Sequence, residues 1–134
     1  RVLCEYGYED TAYKLLLQDT TTIWETWDGI NEQGIPRESF NHYSYGAICG
    51  WLLDGVCGIQ VKEREIRIWP HPNRMLGSAK ATYQAPCGSI TSGWRYEEES
   101  VIYEIEIPVN TTGTIVFPDG DSKKVSTGKY SFIK

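Results

Sequence analysis

The hydrophobic spacing of this 134-residue chain changes near residue 61, and that change constrains the fold more than any other feature. Before it, apolar residues recur three and four positions apart, as on one face of a helix. After it, apolar and polar residues alternate, as in a strand with one buried face. Because helical and strand patterns are segregated along the chain, we expect two modules in succession and no βαβ layer.

The first module is predicted to contain two helices. Ala12, Leu15 and Leu16 lie at helical spacing in the first of them. The second is predicted to run from about Ser39, a good N-cap residue, to about Cys57. Its several glycines lower the intrinsic helix propensity, so we expect tertiary packing to stabilise it.

The second module is predicted to be a sheet of short strands, with Trp69 and Trp94 in its core or against the helices. Alternating segments separated by turn residues indicate antiparallel strands, and several such strands at regular spacing indicate a β-sandwich. The predicted fold class is therefore α+β, with a helical module over residues 1–61 and an antiparallel β-sandwich over residues 62–134. The predicted strands cover residues 65–69, 78–84, 89–96, 101–107, 114–117 and 130–133.

The composition excludes several functional classes. A formal net charge of -5 argues against nucleic acid as a partner, because binding phosphate chains needs a basic surface. The longest apolar stretch, residues 46–61, contains four glycines and Asp54 and is too short to span a bilayer, so no membrane partner is expected. The chain starts at Arg1 without an initiator methionine, and we therefore expect it to be a piece of a longer polypeptide.

The four cysteines are scattered and form no CxxC pair, which argues against a zinc site. Two of them, Cys49 and Cys57, fall in the apolar helical pattern, where a free cysteine behaves as a small buried hydrophobe. We therefore predict no metal and no other cofactor. The pattern favours a reducing compartment such as the cytoplasm over an oxidising one.

The segment around Glu25 is the first candidate for chemistry. Glu25 is flanked by Trp24 and Trp27. A carboxylate between apolar walls suits proton transfer near neutral pH, and indole faces are good platforms for the C–H faces of sugar rings. Carboxylates with aromatic walls are the groups that glycoside hydrolysis uses. The alternative is that both tryptophans are core residues and Glu25 is an exposed residue between them.

His42 is the second candidate. It precedes Tyr45 by three residues, so at helical spacing it extends the apolar stripe toward the helix N-terminus and points inward. There the helix dipole favours a neutral imidazole, which can hydrogen-bond a sugar hydroxyl. A core histidine bonded to the backbone is the alternative.

Several strings of the sequence resemble one enzyme family. GYEDTAYKLLLQD, TTIWETWDG, SFNHYSYGAICGWL and RIWPHP follow one another over residues 7–72. In that order they resemble the C-terminal end of bacterial α-L-rhamnosidases, glycoside hydrolase family 78. The resemblance implies the last helices of an (α/α)6 barrel followed by a C-terminal β-sandwich. It also implies inverting hydrolysis of terminal α-L-rhamnose from glycosides.

The resemblance also implies roles for single residues. Glu25 matches the family's general base, Trp24 and Trp27 would shape the pocket, and His42 resembles the histidine that lines the rhamnose subsite. The family's general acid belongs to an earlier part of the barrel, so we expect this chain alone to be inactive. Family members usually carry a dozen or so residues between the strings that here meet at Asp19 and Thr20, which implies either a deletion or an omitted loop at that point.

Three further expectations remain open at this stage. The sheet could be a carbohydrate-binding or purely structural module, with the helices only as its docking platform. The barrel could act on another sugar, because similar carboxylate and aromatic sites occur in other (α/α)6 enzymes. A partial barrel would expose apolar helix faces, so the chain is expected to self-associate.

Overall fold

The secondary structure is described from a computed structural model for residues 7, 8, 10, 25, 30–63 and 65–134. The first predicted helix, around residues 12–16, lies outside these residues. Trp24, Trp27, and the junction of Asp19 with Thr20 lie outside them as well.

The second predicted helix is present, but it is shorter than expected and changes type along its length. It begins with a 3-10 turn at Tyr43–Ala47, continues as helix α1 at Ile48–Trp51 and ends as a π-helical turn at Leu52–Val56. We call residues 43–56 the mixed helix. The prediction that it starts at Ser39 is wrong, because Ser39 caps a turn that precedes it. In the part of the chain that is described, no helix has the length and apolar content needed to cross a membrane.

The second half is a single six-stranded sheet with the hydrogen-bonded order β1-β2-β5-β4-β3, and β6 also pairs with β5. Most neighbours are antiparallel, as predicted, but β2 and β5 are parallel, which corrects the fully antiparallel prediction. The strands are β1 Ile59–Lys62, β2 Glu65–Ile68, β3 Ser78–Ala85, β4 Gly88–Glu97, β5 Ser100–Val116 and β6 Ser122–Ile133.

Strand β5 connects the two halves of the sheet. Its first part pairs with β4 and its second part with β2, while β6 pairs with both parts. The register shifts between Ile107 and Thr112, where the Pro108 carbonyl accepts hydrogen bonds from Thr111 Oγ1 at 2.6 Å and Thr127 Oγ1 at 3.0 Å. A register shift of this kind lets one strand bend, so that its two parts can pair with different neighbours. Two strands that were predicted separately are therefore one.

The core lies on the inner side of this bent sheet and reaches the end of the mixed helix. The predicted core position of Trp94 is confirmed, since only 3% of its surface is exposed, whereas Trp69 is half-buried with Arg67 over its ring. The core consists of apolar residues from the π-helical turn and from β1 to β5, with Phe117 just beyond: Val56, Ile59, Ile66, Ile68, Ala85, Ile90, Trp94, Tyr103, Ile105, Ile107, Ile115 and Phe117.

Only Cys57 and Gly58 lie between the mixed helix and β1. The Val56 carbonyl accepts hydrogen bonds from Trp94 Nε1 at 2.8 Å and from the His71 backbone N–H at 3.2 Å. The Cys57 carbonyl accepts one from the buried Ser92 hydroxyl at 2.6 Å. The last carbonyls of a helix lack partners within the helix, and here the sheet supplies the donors. The predicted boundary between residues 61 and 62 falls inside β1.

Candidate active site

The structure brings the two described candidates, Glu25 and His42, close together. Glu25 Oε1 lies 3.6 Å from His42 Nε2, and the two side chains are 33% and 28% exposed, respectively. This distance is slightly too long for a direct hydrogen bond, but an oxygen atom about 2.8 Å from each could interact with both. The pair is therefore accessible to a water molecule or a sugar hydroxyl while being partly shielded from solvent.

Ser39 holds Glu25 in place through its backbone. The Glu25 N–H donates to the Ser39 carbonyl at 2.9 Å, and the Ser39 N–H donates to Glu25 Oε2 at 3.3 Å. One residue thus contacts both the main chain and the carboxylate of Glu25. A hydrogen bond from a backbone N–H to one carboxylate oxygen limits the orientations that the carboxylate can take.

A braced loop lies between Glu25 and Ser39. The Asn31 side-chain oxygen accepts hydrogen bonds from the N–H groups of Gln33 and Ile35, at 3.0 and 2.9 Å. The Asn31 N–H in turn donates to the Ile35 carbonyl at 3.0 Å. An asparagine that bonds the backbone a few residues onward fixes a tight turn. The loop therefore has a defined shape as it approaches Ser39.

The hydroxyl of Ser39 leads to His42. Ser39 Oγ accepts a hydrogen bond from the Asn41 N–H at 3.2 Å. Serine thus shows the capping behaviour predicted from the sequence, but in a turn and not at a helix terminus. His42 itself precedes the mixed helix, so helical spacing was the wrong reason for expecting it to point inward. Its ring stacks on Tyr43 with centroids 5.6 Å apart.

The other polar candidates do not form a second site. Within the described residues, no group of three or more histidine, cysteine or acidic side chains is arranged to hold a metal ion. His71 packs its ring against Trp69 with centroids 4.8 Å apart, in keeping with its expected structural role.

The described cysteines differ in their surroundings. Cys57 is buried, as predicted, and burial raises the pKa of its thiol from 9.0 to about 11. Cys49 is exposed, which corrects its predicted burial, because it lies on the solvent side of the mixed helix; Cys87 is exposed as well. All three are free thiols.

The chain is similar to solved structures of one kind of enzyme. It superimposes on the crystal structure of Streptomyces avermitilis α-L-rhamnosidase complexed with L-rhamnose with a TM-score of 0.80 and 27% identity, over 99% of this chain and 17% of that one. The native enzyme from Aspergillus terreus gives a TM-score of 0.81 and 27% identity, over 98% of this chain and 18% of that one.

Curated relatives give the same result at the level of sequence. An α-L-rhamnosidase of Formosa agariphila is 34% identical over 98% of this chain, and one of Streptomyces avermitilis is 30% identical over 99%. The chain spans only about one-sixth of these relatives, 16% and 15% of their length. The alignment with the Formosa relative extends over 150 residues, so that relative has residues without a counterpart in these 134.

Two family models match consecutive parts of the sequence. Residues 1–56 match the bacterial alpha-L-rhamnosidase 6 hairpin glycosidase domain, and residues 64–132 match the bacterial alpha-L-rhamnosidase C-terminal domain. Together they account for nearly the whole chain, in the order in which the helical and strand patterns occur. This chain therefore belongs to the bacterial α-L-rhamnosidase family and corresponds to a C-terminal part of its members.

Proposed function

We propose that this chain is part of an enzyme that removes terminal α-L-rhamnose from glycosides with inversion, and that Glu25 is its general base. The observation that carries the proposal is the 3.6 Å approach of Glu25 Oε1 to His42 Nε2, in a chain that belongs to the α-L-rhamnosidase family. The L-rhamnose complex of the Streptomyces avermitilis structure supports the choice of sugar.

In the proposed reaction, the Glu25 carboxylate takes a proton from a water molecule. The water oxygen forms the new bond to the anomeric carbon on the face opposite the leaving group. The bond to the glycosidic oxygen breaks, and a general acid from another part of the polypeptide protonates that oxygen. Inverting enzymes place the two carboxyl groups about 6.5–9.5 Å apart to admit the water.

The neighbouring residues would bind the sugar. His42 can exchange hydrogen bonds with a rhamnose hydroxyl, because an imidazole has both a donor and an acceptor nitrogen. Trp24 and Trp27 are proposed as the apolar walls of the same pocket. No cofactor is part of this proposal, because an inverting reaction of this kind needs only two carboxyl groups and water.

The proposal divides the chain into the end of the (α/α)6 catalytic barrel and a sheet domain. Because β1 begins at Ile59 and pairs with β2, we place the start of the sheet domain there and not at residue 62. The match of the glycosidase-domain model to residues 1–56 supports this division.

The test uses the full-length polypeptide that contains this chain, assayed with an aryl α-L-rhamnoside. Glu25→Gln should lower kcat by about 10²- to 10⁴-fold, the contribution typical of a general base. Glu32→Gln, the same exchange at an exposed glutamate of the braced loop, is the matched control. NMR of the first product should show β-L-rhamnose. Unchanged turnover in Glu25→Gln would remove Glu25 from the mechanism.

A structural role for the sheet is the second candidate function, and the hydrogen bonds from Trp94 and Ser92 to the carbonyls of Val56 and Cys57 favour it. Trp94 is buried and offers no face to a sugar. Rhamnose titrations followed by tryptophan fluorescence distinguish the roles. Binding that is lost in Trp24→Phe but kept in Trp94→Phe would locate the sugar in the helical part, and the reverse result would favour a carbohydrate-binding sheet.

A further inference from the structure

We infer that Ser39 is a positioning residue for both Glu25 and His42. Its backbone orients the Glu25 carboxylate, and its hydroxyl fixes the chain that leads into His42. The inference rests on the proposed function of Glu25 and adds a residue that touches neither the water nor the sugar. It also assigns different tasks to the two oxygens of the carboxylate.

The backbone contact determines how the carboxylate is turned. The hydrogen bonds from Glu25 N–H to the Ser39 carbonyl and from Ser39 N–H to Glu25 Oε2 hold the residue at both ends, at 2.9 and 3.3 Å. With Oε2 bound in this way, Oε1 is the oxygen that lies 3.6 Å from His42 Nε2. Oε2 is therefore the anchoring oxygen, and Oε1 is the oxygen that takes the proton from water.

The orientation matters because proton transfer requires a short, aligned approach. A glutamate side chain has three rotatable bonds, and a base that samples several of its rotamers is in the reactive one for only part of the time. Misplacing a reacting group by about 1 Å can cost about 100-fold in rate. One N–H that selects a single carboxylate orientation thus acts on kcat more than on substrate binding.

The hydroxyl contact acts on His42. Ser39 Oγ accepts the Asn41 N–H at 3.2 Å, one residue before His42, and so limits the direction in which the chain enters that residue. On the following side, the imidazole stacks on Tyr43. Because His42 is proposed to bind the sugar, loss of the hydroxyl should weaken substrate binding more than it slows the chemical step.

The first test removes only the Ser39 N–H from the full-length protein. Replacing the Ser39 amide by an ester, through incorporation of the matching α-hydroxy acid, deletes the donor to Oε2 and keeps the side chain. We expect kcat to fall about 10- to 100-fold while KM changes far less. The matched control is the same exchange at Gly34, whose N–H donates to the Asn31 carbonyl at 2.9 Å in the same loop. The control should keep its turnover.

The second test changes the Ser39 hydroxyl. Ser39→Ala keeps the backbone donor and loses the acceptor for Asn41, so we expect KM to rise several-fold with kcat nearly unchanged. Ser39→Thr restores a hydroxyl and should bring KM back toward the original value. If the ester protein does not fold, which circular dichroism would show, this pair of variants still decides whether the Ser39 hydroxyl positions His42.

The two proposals fail in different ways. If Glu25→Gln abolishes turnover but the Ser39 ester behaves like the Gly34 ester, and Ser39→Ala leaves KM unchanged, then Glu25 is the base and Ser39 does not position it. If Glu25→Gln retains turnover, the proposed function is wrong and the inference about Ser39 falls with it. A selective loss of kcat in the Ser39 ester supports the inference.

Discussion

Ser92 shows how a single polar atom in the core can connect two parts of the molecule. Its hydroxyl is fully buried and donates to the Cys57 carbonyl at 2.6 Å. Ser92→Ala would leave that carbonyl without this donor, so we expect the free energy of unfolding to fall by about 1–3 kcal/mol. Ser131→Ala, the same exchange at an exposed position of β6, should change it by less than about 0.5 kcal/mol. Urea denaturation measures both, and equal effects would contradict a buried hydrogen bond.

Cys57 gives the stability a dependence on alkaline pH. Burial raises the pKa of the folded thiol from 9.0 to about 11, and it raises that of the Tyr103 hydroxyl from 10.0 to about 12. Between these values the unfolded state releases protons that the folded state keeps, so the free energy of unfolding falls as the pH rises above about 9. Each group contributes at most about 1.4 kcal/mol for each pH unit.

The measurement is urea denaturation at pH 8 and pH 10. Cys57→Ala should reduce the loss of stability between the two pH values, whereas Cys87→Ala, at an exposed cysteine, should not. If the unsubstituted protein and both variants had the same pH dependence, the Cys57 thiol would ionise over the same pH range in the folded and the unfolded state.

For single residues, the sequence predicted what a side chain bonds better than where that side chain lies in the fold. Ser39 was expected to cap the start of a helix, but its hydroxyl instead accepts a hydrogen bond from a backbone N–H in a turn before the helix. The preference of its hydroxyl for a nearby N–H is local and can be read from the sequence. Its contact with Glu25, fourteen residues earlier, depends on the path of the intervening loop, which residue types alone do not determine.

The connection between the mixed helix and β1 depends on Gly58. Its φ is +73, and a Cβ there would lie 2.1 Å from the carbonyl carbon of Trp69. Gly58→Ala therefore combines an unfavourable backbone conformation with a collision against main-chain atoms that cannot move aside. We expect it to destabilise the protein by about 2–5 kcal/mol.

Gly77 provides the matched control, because its φ is +72 and a Cβ there meets nothing within 4 Å. Gly77→Ala should cost only the backbone penalty of about 1–2 kcal/mol. Thermal unfolding of both variants measures the difference. Equal melting temperatures would mean that the chain around Trp69 yields to the added methyl group.

The alternation of apolar and polar residues predicted where the strands lie, but it did not predict how they pair. The segment VIYEIEI has the clear two-residue period of a strand, and it forms the first part of β5. The parallel pairing of Ile66–Ile68 with Gly113–Ile115 joins segments far apart in sequence, and no local pattern encodes it. The mixed helix departs from the α-helical prediction by its 3-10 turn at the start and its π-helical turn at the end, and apolar spacing does not distinguish these helix types.

For the whole molecule, we expect no hydrolysis of aryl α-L-rhamnosides by the 134-residue chain alone. The proposed mechanism needs a second carboxyl group, and the resemblance to the family implies that the general acid belongs to an earlier part of the barrel. Release of the chromogenic aglycone by the isolated chain and by the full-length protein measures the difference. Turnover by the isolated chain above the rate in buffer would contradict a two-part active site.

The same chain is expected to self-associate in solution. Ile30, Ile35 and Tyr43 are exposed near the candidate site, at 47%, 58% and 89%. Apolar surface of this kind favours association when nothing covers it. Light scattering should show dimers or larger species whose proportion rises with concentration. A monomer at all concentrations would contradict this expectation.

The composition of the candidate site could be predicted only in part. Glu25 and His42 were chosen for their residue types and for the motifs around them, and the structure brings them within 3.6 Å. Their mutual orientation depends on Ser39 and on the loop braced by Asn31, which form a tertiary arrangement. Trp24 and Trp27 remain predictions.

The short connection from Val56 to β1 has a consequence for protein engineering. In a chimera that joins the helical part of one relative to the sheet of another, the carbonyls of residues 56 and 57 come from one parent and their donors from the other. Such hybrids should keep both hydrogen bonds only when the parent of the sheet has an indole N–H and a hydroxyl at the positions of Trp94 and Ser92, because every parent supplies the main-chain carbonyls. The outcome of a crossover at this junction is therefore expected to depend on the side chains of the sheet parent and not on those of the helical parent.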